Sequence, residues 1–201
     1  MPDNLNTEAK REAARTVIAE ESRRVRILKK FTAARKVFES NPRGPSFLPV
    51  LNTVQFCLIC YLDVPLLTWQ MMCAETPWRR KLNARLLAMT LAEYLEDFPS
   101  LFGKNFRTSL GQSGAGDLLL GELARTMKKL HEFKRKHEPM LREIRNVTAA
   151  HRDNDADLFL GVVGGINPSE IWELSEEFSN LIGGLLKLFK SVLPLDFGVK
   201  G

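Results

Sequence analysis

The sequence predicts an all-α protein, a helical bundle of about four main helices preceded by an additional basic helical arm. Three observations predict it. Apolar residues recur every three or four positions through four long segments. Residues 4–39 are rich in Ala, Glu, Arg and Lys and contain neither Gly nor Pro. No internal repeat and no convincing sheet pattern is present. With 44% hydrophobic and 26% charged residues, the 201-residue chain can fill one sizeable core and still carry an ordinary water-facing surface.

Asn41-Pro42-Arg43-Gly44-Pro45 breaks the first helix and marks a boundary. From Phe47 to about Ala74, the positions Phe47, Val50/Leu51, Val54, Cys57/Leu58 and Tyr61 keep helical spacing. Alternation across Val54, Phe56, Leu58 and Cys60 would suit a strand, but the length of the segment favours a helix, bent at Pro65. Thr76-Pro77 reads as a cap followed by proline at the first helical position. The next helix is expected to run from Trp78 to about Phe98, with Leu82, Leu86, Met89/Thr90 and Tyr94 on its apolar side and Pro99 as its stop. Residues 99–116 hold four glycines and several Ser, Thr and Asn residues, and read as a surface loop.

The strongest helical stripe follows. Positions 119, 123, 126, 130, 133, 137, 140, 144, 147 and 151 keep a 4-3 rhythm and read Leu, Leu, Thr, Leu, Phe, His, Met, Ile, Val, His. Such a seam faces a helical partner in the same chain or in another. Pro139 lies inside it, so a kink or break near Lys136 is expected. A last helix is expected from Pro168 to about Leu193, with Ile171, Leu174, Phe178, Leu181/Ile182 and Leu185 on its apolar face. The organisation that results is a basic arm at 1–45, a bundle at 46–195 and a short tail at 196–201.

Charge is distributed unevenly. The net charge is +5, and residues 1–45 alone hold eleven Lys/Arg against six Asp/Glu, so the remainder is balanced. The densest part is Arg23, Arg24, Arg26, Lys29, Lys30, Arg35 and Lys36. A segment of this kind attracts nucleic acid or an anionic membrane, or is simply a solvated helix face. The most apolar stretch, 47–67, is interrupted by Asn52, Gln55 and Asp63 and punctuated by Pro49 and Pro65, so no transmembrane segment is expected. Early acidic residues (Asp3, Glu8, Glu12) with no apolar run behind them do not make a signal peptide. Three cysteines, an odd number, fit a reducing compartment, and a cytoplasmic location is expected.

Several motifs fail on chemistry. Cys57-Leu58-Ile59-Cys60 lacks the second pair that zinc needs and sits among apolar neighbours, so it reads as core cysteines. Asp153-Asn154-Asp155-Ala156-Asp157 opens like a calcium loop, but Leu158 stands where the turn glycine belongs and Gly164 where the closing Glu belongs. It reads as a polar turn. Gly111 to Gly116 does not continue into the Lys-Ser/Thr of a phosphate cradle. No metal site and no cofactor are expected.

What remains is Arg145-Asn146-Val147-Thr148-Ala149-Ala150-His151, at the end of the seam. Arg is a permanent planar cation suited to phosphate, and His carries a proton near neutral pH. Six residues at about 100° each separate Arg145 from His151 by roughly 240° on a regular helix. The two converge only if the helix ends or loosens near Ala149-Ala150, or if they meet partners from a second subunit. Read alone, His151 also serves as a hydrogen-bonded core or interface residue, and Arg145 as one of many helix-surface arginines.

At these residues the chain resembles the HEPN superfamily, small helical-bundle proteins whose signature is Arg, four to six residues, then His, often with a polar residue directly after the Arg. Arg145, Asn146 and His151 fit, and the likeness in architecture covers residues 46–193, with the arm outside it. The resemblance implies a metal-independent endoribonuclease, a toxin or defence effector, that forms a homodimer with both motifs lining one cleft. It implies RNA as substrate, an antitoxin or other regulatory protein as partner, and His151 as general base or acid. Arg145 would bind phosphate and Asn146 would orient the His or a phosphate oxygen. Arg152, and more remotely Arg142, would add phosphate contacts. A further acidic residue from another helix is common in active members, with Glu93 and Asp97 as candidates here. Some members keep the bundle as a non-catalytic binding or dimerisation module.

Overall fold

The computed structural model describes residues 7–40, 44–112, 116–149 and 156–192, and among these every regular element is a helix. In order they are α1 (Thr7–Glu39), a 3₁₀ turn at Gly44–Phe47, α2 (Leu48–Met72), α3 (Pro77–Leu101), α4 (Lys104–Gln112), α5 (Asp117–Ala149), α6 (Ala156–Gly165) and α7 (Pro168–Val192). Helices α2, α3, α5 and α7 pack each against the next in that cyclic order, and α1 lies on the outside of α2. The all-α bundle read from the sequence is therefore the architecture observed.

The core is the meeting of four apolar faces. Val50, Leu51, Val54, Cys57 and Leu58 of α2 are buried, as are Ile171, Leu174, Phe178, Ile182 and Leu185 of α7. The α5 seam supplies Leu123, Leu130, Phe133, Leu141 and Ile144. Phe178 is fully buried and meets the rings of Tyr94, Phe98 and Phe133 at 6.3, 6.0 and 5.9 Å. Several buried hydroxyls are paired. The Thr68 hydroxyl donates to Val64 O at 2.7 Å, and lies 3.0 Å from the Ser175 hydroxyl. Tyr94 donates to Asp63 Oδ2 at 2.6 Å.

Three prolines lie inside helices without ending them. Proline in a helix removes the N–H that would bond the carbonyl four residues back. For Pro65 that carbonyl is Tyr61 O, and Arg24 Nη1 of α1 donates to it at 2.8 Å. For Pro99 it is Leu95 O, and Lys134 Nζ of α5 donates to it at 2.9 Å. In each case a cation from the neighbouring helix supplies the missing donor. This accounts for α3 running through Pro99 to Leu101, where the sequence predicted a stop. Pro139 likewise lies inside the continuous α5, on an exposed turn where water can bond the freed carbonyl.

Other expectations change. Residues 104–112 form α4 rather than loop, because Phe106 and Leu110, one turn apart, bury beside Phe102 and Phe189. Gly103 makes the corner before it, where a Cβ would stand 3.0 Å from Ser100 O. Leu86 is 46% exposed, and the buried side of α3 runs instead through Ala84, Leu87, Ala88, Leu91 and Leu95. Of the run read as a polar turn, Ala156 and Asp157 belong to α6, and Asp153, Asn154 and Asp155 lie outside the described residues. The Thr76 cap is present, its side chain accepting from Arg79 N at 3.2 Å. Helix α2 is long and apolar enough to cross a membrane by composition, yet it is the bundle's central helix, packed on α1, α3 and α7. No clear transmembrane segment is present among the described residues.

Candidate functional site

Helix α5 carries charges on the flank beside its apolar seam. Lys134, Glu138 and Arg142 follow one another at four-residue steps and Arg145 comes three later, so all four stack along one side of the helix. Lys134 Nζ lies 3.6 Å from Glu138 Oε1, and Arg142 Nε lies 3.2 Å from the same oxygen. Helix α3 answers with Glu96. Its Oε1 meets Arg142 Nη2 at 3.2 Å and its Oε2 meets Arg145 Nη1 at 2.5 Å. One carboxylate thus receives both arginines and ties α5 to α3 near the seam's end.

Two arginines beside one carboxylate shift its titration. The Arg145 hydrogen bond holds the Glu96 carboxyl below the usual carboxylate range, with Arg142 assisting, and Glu96 in turn raises Arg145. Arg145 is half-buried and Arg142 more open, with side chains 24% and 51% exposed. Of the five guanidinium N–H bonds of Arg145, one goes to Glu96 and one reaches the Asn146 side chain at 3.5 Å. The rest have no partner among the described residues.

Of the residues singled out from the sequence, Arg142, Arg145 and Asn146 are brought together. His151 and Arg152 lie outside the described residues, and with them the question of whether Arg145 and His151 converge. The α3 carboxylate that pairs with Arg145 is Glu96, a residue not singled out from the sequence, where Glu93 and Asp97 are the candidates to join the site. Glu93 acts on Arg145 only as a nearby charge. A helical wheel contains the signal. Glu96 follows buried Ala92 by one turn and so lies at the edge of the buried face, whereas Glu93 points away from it.

Elsewhere the chemistry is quiet. Cys57 and Cys60 are buried and burial pushes both thiols up, as core cysteines; Cys73 is exposed. His137, on the seam, packs on Phe133 with ring centroids 4.8 Å apart, and burial lowers its pKa. A groove of about 520 Å³ runs between α5, α6 and α7, but it is reached from Met140, Glu143 and Ile144, away from the Arg142–Arg145 flank. Among the described residues no three His, Cys, Asp or Glu gather as metal ligands. Compared with known proteins, the chain matches no family model, no curated protein and no solved structure.

Proposed function

We propose that this chain is a metal-independent endoribonuclease of the HEPN kind, acting as a homodimer. An RNA 2′-hydroxyl attacks the adjacent phosphorus, the bond to the 5′-oxygen breaks, and a 2′,3′-cyclic phosphate forms. One imidazole takes the hydroxyl proton and an imidazolium supplies a proton to the departing 5′-oxygen. In a dimer the two His151 side chains fill both roles. Arg145 binds the phosphate and stabilises the charge that builds on it, with Asn146 beside it and Arg142 and Arg152 in support. A toxin or defence role, with an antitoxin-like protein as regulator, belongs to the same proposal.

The observation that carries this reading is Arg145 itself. It is half-buried and held in place by Glu96 with N–H groups to spare, six residues before His151 at the end of the α5 seam. The same ion pairs also favour a second reading, in which Arg142 and Arg145 are structural ties and the bundle is a non-catalytic module binding protein or nucleic acid. Cleavage of a mixed RNA panel in chelator separates the two. The ribonuclease reading expects wild type to cleave to cyclic-phosphate ends while His151→Ala and Arg145→Ala lose at least about 10²-fold, the usual contribution of an acid–base group. Equal cleavage by all three proteins, or none by any, refutes it.

A further inference from the structure

The outer face of α1 sorts its cations into two sets. Those near α2 or at the helix flanks are paired. Arg23 bonds Glu20, Arg24 bonds Tyr61 O and lies 4.2 Å over the Tyr61 ring, and Arg35 bonds Glu39, Asn52 and Gln55. The others are not. Arg26, Lys29, Lys30 and Lys36 are exposed, and none of their side chains has an ion-pair or hydrogen-bond partner among the described residues. Between Glu21 and Glu39 the helix contains no acidic residue, and Glu20 and Glu39 already face other arginines. At about 100° per residue the four cations fall within an arc of about 120°, and they span roughly 15 Å of helix.

We infer that this stripe binds the phosphate backbone of a nucleic-acid strand. The choice between nucleic acid and membrane turns on the opposite face of α1. A helix that lies on a bilayer buries its apolar side in the lipid. Here that side, with Phe31 buried and Ile27, Leu28 and Phe38 packed beside it, is already taken by the core. What α1 turns outward is charge, with isolated Ile18 and Val37 as its exposed large apolar residues. A row of exposed, unpaired cations on a helix docked against the core is suited to a flexible polyanion that can follow its charges. RNA as the strand rests on the ribonuclease reading; the stripe itself does not.

The test uses the full chain and a 30-nucleotide single-stranded RNA with 2′-O-methyl riboses, which cannot be cleaved by 2′-hydroxyl attack. Anisotropy titrations run from 50 to 300 mM salt. The fourfold variant Arg26→Gln/Lys29→Gln/Lys30→Gln/Lys36→Gln is compared with a fourfold control on exposed residues of α5, Arg125→Gln/Lys128→Gln/Lys129→Gln/Arg135→Gln. At about 0.7 in log–log slope per phosphate contact on a single strand, the stripe variant should lose a slope of about 3 and bind roughly 10²-fold more weakly near 0.15 M salt. The control should keep most of both. The inference is overturned if the stripe variant binds like wild type, if the control loses as much, or if wild type binds phosphatidylserine vesicles and not RNA. The ribonuclease reading fails separately. Cleavage that depends on His151 with the stripe variant unimpaired sinks only the stripe, whereas stripe-dependent binding without cleavage sinks only the enzyme.

Discussion

Lys134 is assigned the role of replacing the N–H that Pro99 lacks, and that assignment can be measured. Leu95 is fully buried, so its carbonyl has no water to fall back on if Lys134 is removed. Lys134→Met keeps the aliphatic stem and deletes the charge. A charge-assisted hydrogen bond is worth about 1.5–3 kcal/mol, and an orphaned buried carbonyl costs about 1–3 kcal/mol, two descriptions of one loss. The Lys134 side chain is 22% exposed and its ammonium is shared with Glu138 at 3.6 Å, which argues for the lower part of that range, about 2 kcal/mol. In a Pro99→Ala background the new N–H can bond Leu95 O itself, and Lys134→Met should then cost only about 0.5–1 kcal/mol, the scale of a surface pair. The double-mutant cycle should therefore show a coupling of about 1–1.5 kcal/mol by urea unfolding. If Lys134→Met costs the same in both backgrounds to within about 0.5 kcal/mol, the additivity limit, the assignment is wrong.

Three further predictions concern the core, the thiols and the ion pair. Phe178→Ala removes the ring on which Tyr94, Phe98 and Phe133 converge, and should cost about 3–5 kcal/mol in urea or guanidinium unfolding; a loss under about 1.5 kcal/mol would contradict its central place. A thiol reagent at pH 8 should titrate one cysteine rapidly in the folded protein, Cys73, and all three in denaturant, because Cys57 and Cys60 are buried with their thiols pushed up; rapid reaction of three without denaturant would refute the packing. Glu96 has its pKa depressed by Arg145, so its contribution to stability is present above the unfolded carboxylate value and lost as pH falls through the folded one. Glu96→Gln should lower the urea midpoint at pH 7 and converge with wild type toward pH 3; a gap that persists at low pH would mean the charge is not what matters.

How much of this was readable in advance depends on what each residue answers to. The α5 and α7 stripes were legible because one wide apolar face meets the core, so Leu130, Phe133, Ile144, Phe178 and Leu185 repeat at helical spacing. The α3 stripe was misplaced because that helix touches α2, α5 and α7, and a helix buried on several sides has no single stripe to read. The end of α3, expected at Pro99, was misjudged for a different reason. Proline forbids a local hydrogen bond, but the remedies, Arg24 and Lys134, come from other helices and have no signature near the proline. The candidate site divides in the same way. Arg145 and Asn146 were visible as a motif. Glu96 was not, since three carboxylates crowd Glu93 to Asp97 and only the buried edge at Ala92 distinguishes the one that reaches α5.

The ion pair at Arg145 sharpens the chemistry asked of it. A guanidinium already bonded to a carboxylate is often taken as satisfied, and the pair as purely structural. Against that stands the count of donors. Glu96 takes Nη1 of Arg145, and the carboxylate is itself divided between Arg145 and Arg142. Glu138 is likewise shared between Arg142 and Lys134, and Glu93 stands near Arg145 as a third negative charge. Three cations and three carboxylates therefore balance here, and what Arg145 would offer a phosphate under the proposed ribonuclease reading is N–H donors left over rather than surplus charge. On that reading the carboxylate fixes the arginine's rotamer before substrate arrives, and the entropy of ordering a long side chain is met in folding rather than in binding. The same arrangement limits what Arg145 can do alone. It is held against α3, so under the proposed ribonuclease reading the phosphate would have to come to it, and the acid–base group would have to be supplied by His151 of the same chain or of a second copy.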